Sequence, residues 1–109
     1  MTAIGLLGGT FNPVHIGHLR LAIECRERLG LSEVHLLPAA LPPLKDRPET
    51  SAAHRVAMLE LAVAPVPELR VDSRELHREG LSYSPDTLAA LRSEYGPGVC
   101  LTFIMGTDS

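Results

Sequence analysis

The strongest constraint on the fold lies near the N-terminus, in Ile4-Gly5-Leu6-Leu7-Gly8-Gly9-Thr10-Phe11-Asn12-Pro13-Val14-His15-Ile16-Gly17-His18-Leu19. The apolar run Ala3 to Leu7 reads as a short strand that stops at paired glycines, which suit a tight turn. Asn12-Pro13 is a loop signal, and a helical pattern opens near Ile16. A strand, a glycine turn and a helix start in succession make an anion site. Backbone N–H groups are unpaired there, and the helix dipole favours negative charge. His15 and His18 are three residues apart, so in a first helical turn both rings face the same way. The stretch predicts a place where a polyphosphate sits between backbone donors and two imidazoles.

The rest of the chain supplies elements around that site. Strand one, Ala3 to Leu7, is apolar enough to be buried on both faces of a parallel sheet. Helix one is predicted from about Ile16 to Leu29, with Leu19, Ala22, Ile23 and Cys25 inward, Arg20, Glu24, Arg26, Glu27 and Arg28 outward, and Gly30 as C-cap. Strand two is Glu33 to Pro38. The segment Ala39 to Thr50, with Pro42, Pro43 and Pro48, reads as a surface loop leaving the C-terminal end of strand two. Ligands bind at that edge in open α/β sheets, so Lys45 and Arg47 are candidates to meet an anionic substrate. As a plain pair of solvated charges, they fit the spacing equally well.

Ser51 caps a second helix, about Ala52 to Ala64, with Val56, Leu59 and Val63 toward the core and His54, Arg55 and Glu60 among its polar positions. Leu69 to Ser73 alternates apolar and polar residues, as an edge or half-exposed strand does. Arg74 to Gly80 is charged and fits no single element. Ser84 as N-cap, Pro85 at the first helical position and Asp86 in the first turn start a third helix that runs to Tyr95. Leu88, Leu91 and Tyr95 form its stripe, and Gly96-Pro97-Gly98 ends it. Val99 to Met105 is a further buried strand, closed by Gly106-Thr107-Asp108.

The order β-α-β-α-β-α-β predicts an α/β fold with a doubly wound parallel sheet. If the strands that end at Gly8-Gly9 and at Gly106 are neighbours, both motifs face one ligand crevice. At 109 residues the chain makes a single domain. A net charge of -3 argues against a nucleic-acid polymer as partner, while leaving room for a local positive pocket. No run approaches the ~20 apolar residues of a membrane span, and no basic segment precedes the first apolar run, so neither a membrane nor a secretory signal is expected. Cys25 and Cys100 have no metal-ligand spacing and are expected as reduced, buried small hydrophobes.

For phosphoryl-type chemistry this set needs no general base. A phosphate that attacks the α-phosphorus of a nucleoside triphosphate is already an anion, and catalysis reduces to positioning and charge stabilisation. Other readings of the histidines are a zinc half-site, for which no further ligands stand out, or capping and core positions. His35, His54 and His77 read as surface or satisfied structural residues. A Rossmann fingerprint is missing, since G-x-G-x-x-G does not occur. The non-enzyme reading is a nucleotide-binding fragment or an FMN- or NAD-binding module without turnover.

Gly9-Thr10-Phe11-Asn12-Pro13-Val14-His15-Ile16-Gly17-His18 resembles the signature of the nucleotidyltransferase superfamily, with Asn12 where Asp is commoner. Pro42-Pro43-Leu44-Lys45, Ser51 to Leu61, Ser82-Tyr83-Ser84-Pro85-Asp86-Thr87-Leu88 and Phe103-Ile104-Met105-Gly106-Thr107-Asp108 follow in order. Together they are similar to the bacterial nicotinate mononucleotide adenylyltransferases over essentially the whole chain. Leu44 stands where that family's P-P-H-K/R loop has His, and Ser84 where it has Thr.

The resemblance implies a Rossmann-like nucleotidyltransferase fold and AMP transfer from ATP to nicotinate mononucleotide, giving deamido-NAD and pyrophosphate. It implies Mg²⁺ bound through the ATP phosphates, with no metal held by the protein itself, and a cytoplasmic enzyme. Whether it is a homo-oligomer stays open. By the same resemblance His15 and His18 are catalytic and hold ATP phosphates, while Gly8, Gly9, Thr10 and Phe11 line the nucleotide. Gly106 and Asp108 meet the adenylate ribose, Lys45 and Arg47 guard the phosphate entrance, and Tyr83, Ser84 and Thr87 sit by the pyridine nucleotide. Phosphopantetheine adenylyltransferases and small-phosphate cytidylyltransferases share the first motif but not Ser82 to Leu88. The family is about twice as long, so residues 1–109 are expected to be the N-terminal part of a single nucleotidyltransferase domain.

Overall fold

The structure, a computed structural model, describes residues 2–9, 11, 16–38, 52–77 and 84–104. Its elements in chain order are β1 (Ala3–Gly9), α1 (Ile16–Leu29), β2 (Glu33–Pro38), α2 (Ala52–Val63), β3 (Leu69–Val71), a 3-10 turn (Arg74–His77), α3 (Ser84–Tyr95) and β4 (Cys100–Ile104). Among the described residues the strands form one parallel sheet in the order β3-β2-β1-β4. The fold is α/β, and β1 and β4 are neighbours where the strand order reverses, as the crevice argument requires.

Alternation along the strands divides the core in two. Leu7, Val34, Leu36, Leu69 and Ile104 turn toward α1 and α2, where Ala22, Leu59 and Val63 meet them. Ile4, Leu6 and Leu37 turn toward α3 and pack with Leu91. The predicted stripes on α1 and α3 hold: Leu88 and Tyr95 flank Leu91, and Leu19, Ile23 and Cys25 flank Ala22. On α2, Leu59 and Val63 join the core, while Val56 is half-buried and outside both clusters. Gly30 caps α1 at φ 66°, a left-handed backbone open to glycine without a Cβ penalty. Past it, the Leu31 N–H reaches back to the Arg26 carbonyl at 2.9 Å, closing the helix end in a Schellman arrangement.

Several boundaries and burials differ from the sequence expectations. β1 runs to Gly9, not Leu7, because Gly8 and Gly9 pair with Leu37 and Pro38 of β2. α2 ends at Val63, one residue early. β3 stops at Val71, because the Asp72 carboxylate accepts the Arg74 backbone N–H at 3.1 Å and turns the chain into the 3-10 segment. β4 is mostly half-buried rather than buried, since among the described residues it pairs with β1 alone. Cys100, at its start, is exposed for the same reason, and Cys25, on α1, is half-buried rather than buried. Arg55, counted among the polar positions of α2, is buried.

Candidate functional site

The site predicted from sequence lies where β1 ends and α1 begins. β4 pairs with β1 from Ala3↔Cys100 to Leu7↔Ile104, so Gly8 and Gly9 continue past the last described residue of β4. The glycines are strand residues, and an aromatic ring stands over each, though only Gly9 is short of room for a Cβ. A Cβ on Gly8 would lie 3.6 Å from the Phe103 ring, an ordinary contact, whereas one on Gly9 would lie 3.3 Å from the Phe11 ring, tight enough to move it.

Phe11 follows with φ 46°, the left-handed region that a bulky side chain rarely enters. Its side chain is buried in the α1/α2 core, so any contact of Phe11 with a nucleotide falls to its backbone. From that position the ring stands nearly perpendicular to the His18 imidazole, centroids 4.9 Å apart at 79°. His18 is half-buried in the first turn of α1, beside exposed Ile16 and Gly17. Sequence reading placed His18 in the first turn of α1, where it lies, but did not foresee the Phe11 ring against it. The available signal was a bulky apolar residue set directly after a glycine pair.

The structure brings together Gly8, Gly9, Phe11 and His18. Thr10, His15, Lys45, Arg47, Tyr83, Gly106 and Asp108 lie outside the described residues. Ser84 opens α3 as expected, although its side chain lies outside the description. Thr87 is fully buried in the first turn of α3, so its hydroxyl is not presented at the surface. Among the other histidines, His35 is buried and satisfied: its Nε2 donates to Glu33 Oε1 at 3.0 Å, a structural role. His54 is exposed. None of the described helices is long and apolar enough to cross a membrane.

Comparison with known proteins meets this geometry. A family model described as cytidylyltransferase-like matches residues 6–109. The chain belongs to the cytidylyltransferase-like family. The chain is 55% identical over 97% of its length to a probable nicotinate-nucleotide adenylyltransferase of Aeromonas salmonicida, covering 49% of that protein. It is 52% identical over 100% of its length to one of Halorhodospira halophila, covering 50% of it. The chain thus spans about half the length of the curated relatives it matches. Among solved structures, a Plasmodium falciparum nicotinic acid mononucleotide adenylyltransferase complexed with NaAD superposes on it with TM-score 0.72 at 16% identity. That match covers 94% of this chain and 51% of the other. At that identity the likeness establishes the fold, and it is the fold that family membership implies.

Proposed function

We propose that the chain carries the nucleotide-binding part of a nicotinate mononucleotide adenylyltransferase, with residues 1–109 the N-terminal part of a single nucleotidyltransferase domain. The observation that carries this reading is the 55% identity, over 97% of the chain, to a relative so named. The neighbouring C-terminal ends of β1 and β4 support it, since a nucleotide binds at such a switch point.

In this reading a phosphate oxygen of nicotinate mononucleotide attacks the α-phosphorus of ATP. A new P–O bond forms, the bond to the β-phosphate bridge breaks, and pyrophosphate leaves with the electron pair. The nucleophile is already an anion, so the protein's work is alignment and charge stabilisation. His15, His18 and backbone donors of Gly8, Gly9, Thr10 and Phe11 hold the phosphates, and Gly106 with Asp108 holds the ribose. Lys45 and Arg47 attract the polyphosphate. Tyr83, Ser84 and Thr87 sit by the pyridine nucleotide, Thr87 through a buried hydroxyl. Among the described residues no three His, Cys, Asp or Glu side chains cluster as a metal cage. In this reading Mg²⁺ would enter bound to the ATP phosphates and would supply charge neutralisation for the departing pyrophosphate. The enzyme is cytoplasmic in this reading.

The test is pyrophosphate release with MgATP and, in turn, nicotinate mononucleotide, nicotinamide mononucleotide or phosphopantetheine, beside calorimetric binding of each. The expected result is binding of MgATP and nicotinate mononucleotide. Any release, from this chain or from a longer one that carries the remaining half, needs nicotinate mononucleotide, with His18→Ala lowering the rate by roughly 10²-fold or more. Release with phosphopantetheine alone, or a chain that binds neither MgATP nor nicotinate mononucleotide, overturns the reading.

A further inference from the structure

We propose that Phe11 is a positioning residue for His18: its left-handed backbone sets an aromatic ring against the imidazole and holds it in one orientation. The inference rests on the phosphate-binding role given to His18 above.

Four observations converge on it. Phe11 is the one non-glycine among the described residues with positive φ, and such a conformation persists only where the surroundings over-determine it. Its side chain is 1% exposed and wedged among Leu7, Ala22 and their neighbours, so the ring itself has no room to move. The ring contacts His18 in the perpendicular geometry that aromatic quadrupoles favour. Gly9 leaves the space the ring occupies, since a Cβ there would crowd its Cζ at 3.3 Å, and the ring would have to give by a few tenths of an ångström.

A phenylalanine that merely filled the core would not need a strained backbone. The strain is explained if the ring must reach both the core and the first turn of α1. An imidazole braced by an immobile ring is ordered before phosphate arrives, so binding loses less side-chain entropy.

A double-mutant cycle in MgATP affinity tests this, using Phe11→Leu, His18→Ala and the combination. Leucine keeps the apolar filling and removes the ring. Phe11→Leu is expected to weaken binding by roughly two- to tenfold in the wild-type background, and to change nothing once His18 is alanine. Equal losses in both backgrounds overturn the proposal, because they assign Phe11 to the core alone. If His18→Ala binds as tightly as wild type, the phosphate role of His18 fails. Phe11 is then judged by NMR of the His18 ring protons in the ligand-free protein. A ring-current shift and single rotamer lost in Phe11→Leu support the bracing, and unchanged signals overturn it. Should Phe11→Leu fail to fold, Gly9→Ala displaces the ring without emptying the core and is expected to move the same signals and affinity in the same direction.

Discussion

On the α1/α2 face the sheet presents Leu7, Val34, Leu36, Leu69 and Ile104 to Ala22, Leu59 and Val63, whereas the α3 face offers Ile4, Leu6 and Leu37 to Leu91 and then turns ionic. Toward β3 that second face carries Glu33, whose carboxylate takes His35 Nε2 on one oxygen and Arg70 Nε on the other, each at 3.0 Å. The register places Arg70 directly opposite His35. Asp72 holds Arg74 through two bonds from Nε, at 2.9 and 2.8 Å, and Arg74 Nη2 reaches Glu94 of α3 at 2.6 Å. Tyr95 completes the patch, its ring 6.1 Å from that of His35. One face is held by area removed from water, the other partly by directional pairs that tie α3 to the β3 edge. Burial supplies most of the energy, and paired charges near solvent supply orientation at little net gain. The junction between β1 and α1 rests on the apolar face through Phe11.

The same substitution made on both faces gives the sharpest test. Leu59 and Leu91 are each fully buried, but Leu59 sits in the larger cluster while Leu91 is ringed by half-exposed Leu88, Val99 and Leu101 that can close over a gap. Leu59→Ala is expected to cost about 3–5 kcal/mol in denaturant unfolding and Leu91→Ala about 2–3 kcal/mol. Equal costs would break the contrast. Arg74→Ala should lose less, about 0.5–1 kcal/mol, since its Glu94 arm is exposed, and the loss should shrink at high salt. A loss above about 2 kcal/mol, unaffected by salt, would show that the ionic face stabilises as much as orients.

The smallest effect concerns Tyr95. Burial above all, then the carboxylates of Glu94, Glu33 and Asp72, hold its hydroxyl above the ordinary value of 10.0, with Arg74 opposing. A folded-state pKa raised above the unfolded one gives stability that is fully present below about pH 10 and lost as pH rises through the raised value. Tyr95→Phe should therefore unfold like wild type near neutrality and resist alkaline unfolding better, as read by pH-dependent melting. An unchanged alkaline limb would remove Tyr95 from the cluster's electrostatics.

Sequence reading served well where the signal was local. α1 begins at Ile16 and ends at Leu29, and β2 spans Glu33 to Pro38, as periodicity and the Gly30 cap indicated. Ser84-Pro85 started α3 for the same reason. It fell short where a distant partner decides. Gly8 and Gly9 look like a turn until β2 pairs with them, Asp72 looks like strand until its carboxylate caps Arg74, and Arg55 looks solvated until α2 packs. At the β1–α1 junction, the place of His18 in the first turn of α1 was legible from its motif, but the contact from Phe11 was not.

By itself the sequence determined the kinds and order of the elements, the motif at the end of β1 and the family, because caps, turns and hydrophobic periods act within a few residues. Tertiary structure alone decided that β1 lies between β2 and β4, that one face is apolar and the other partly ionic, and that the Phe11 ring lies against His18. Those outcomes depend on which surfaces share the same space after folding, and spacing along the chain does not encode that directly.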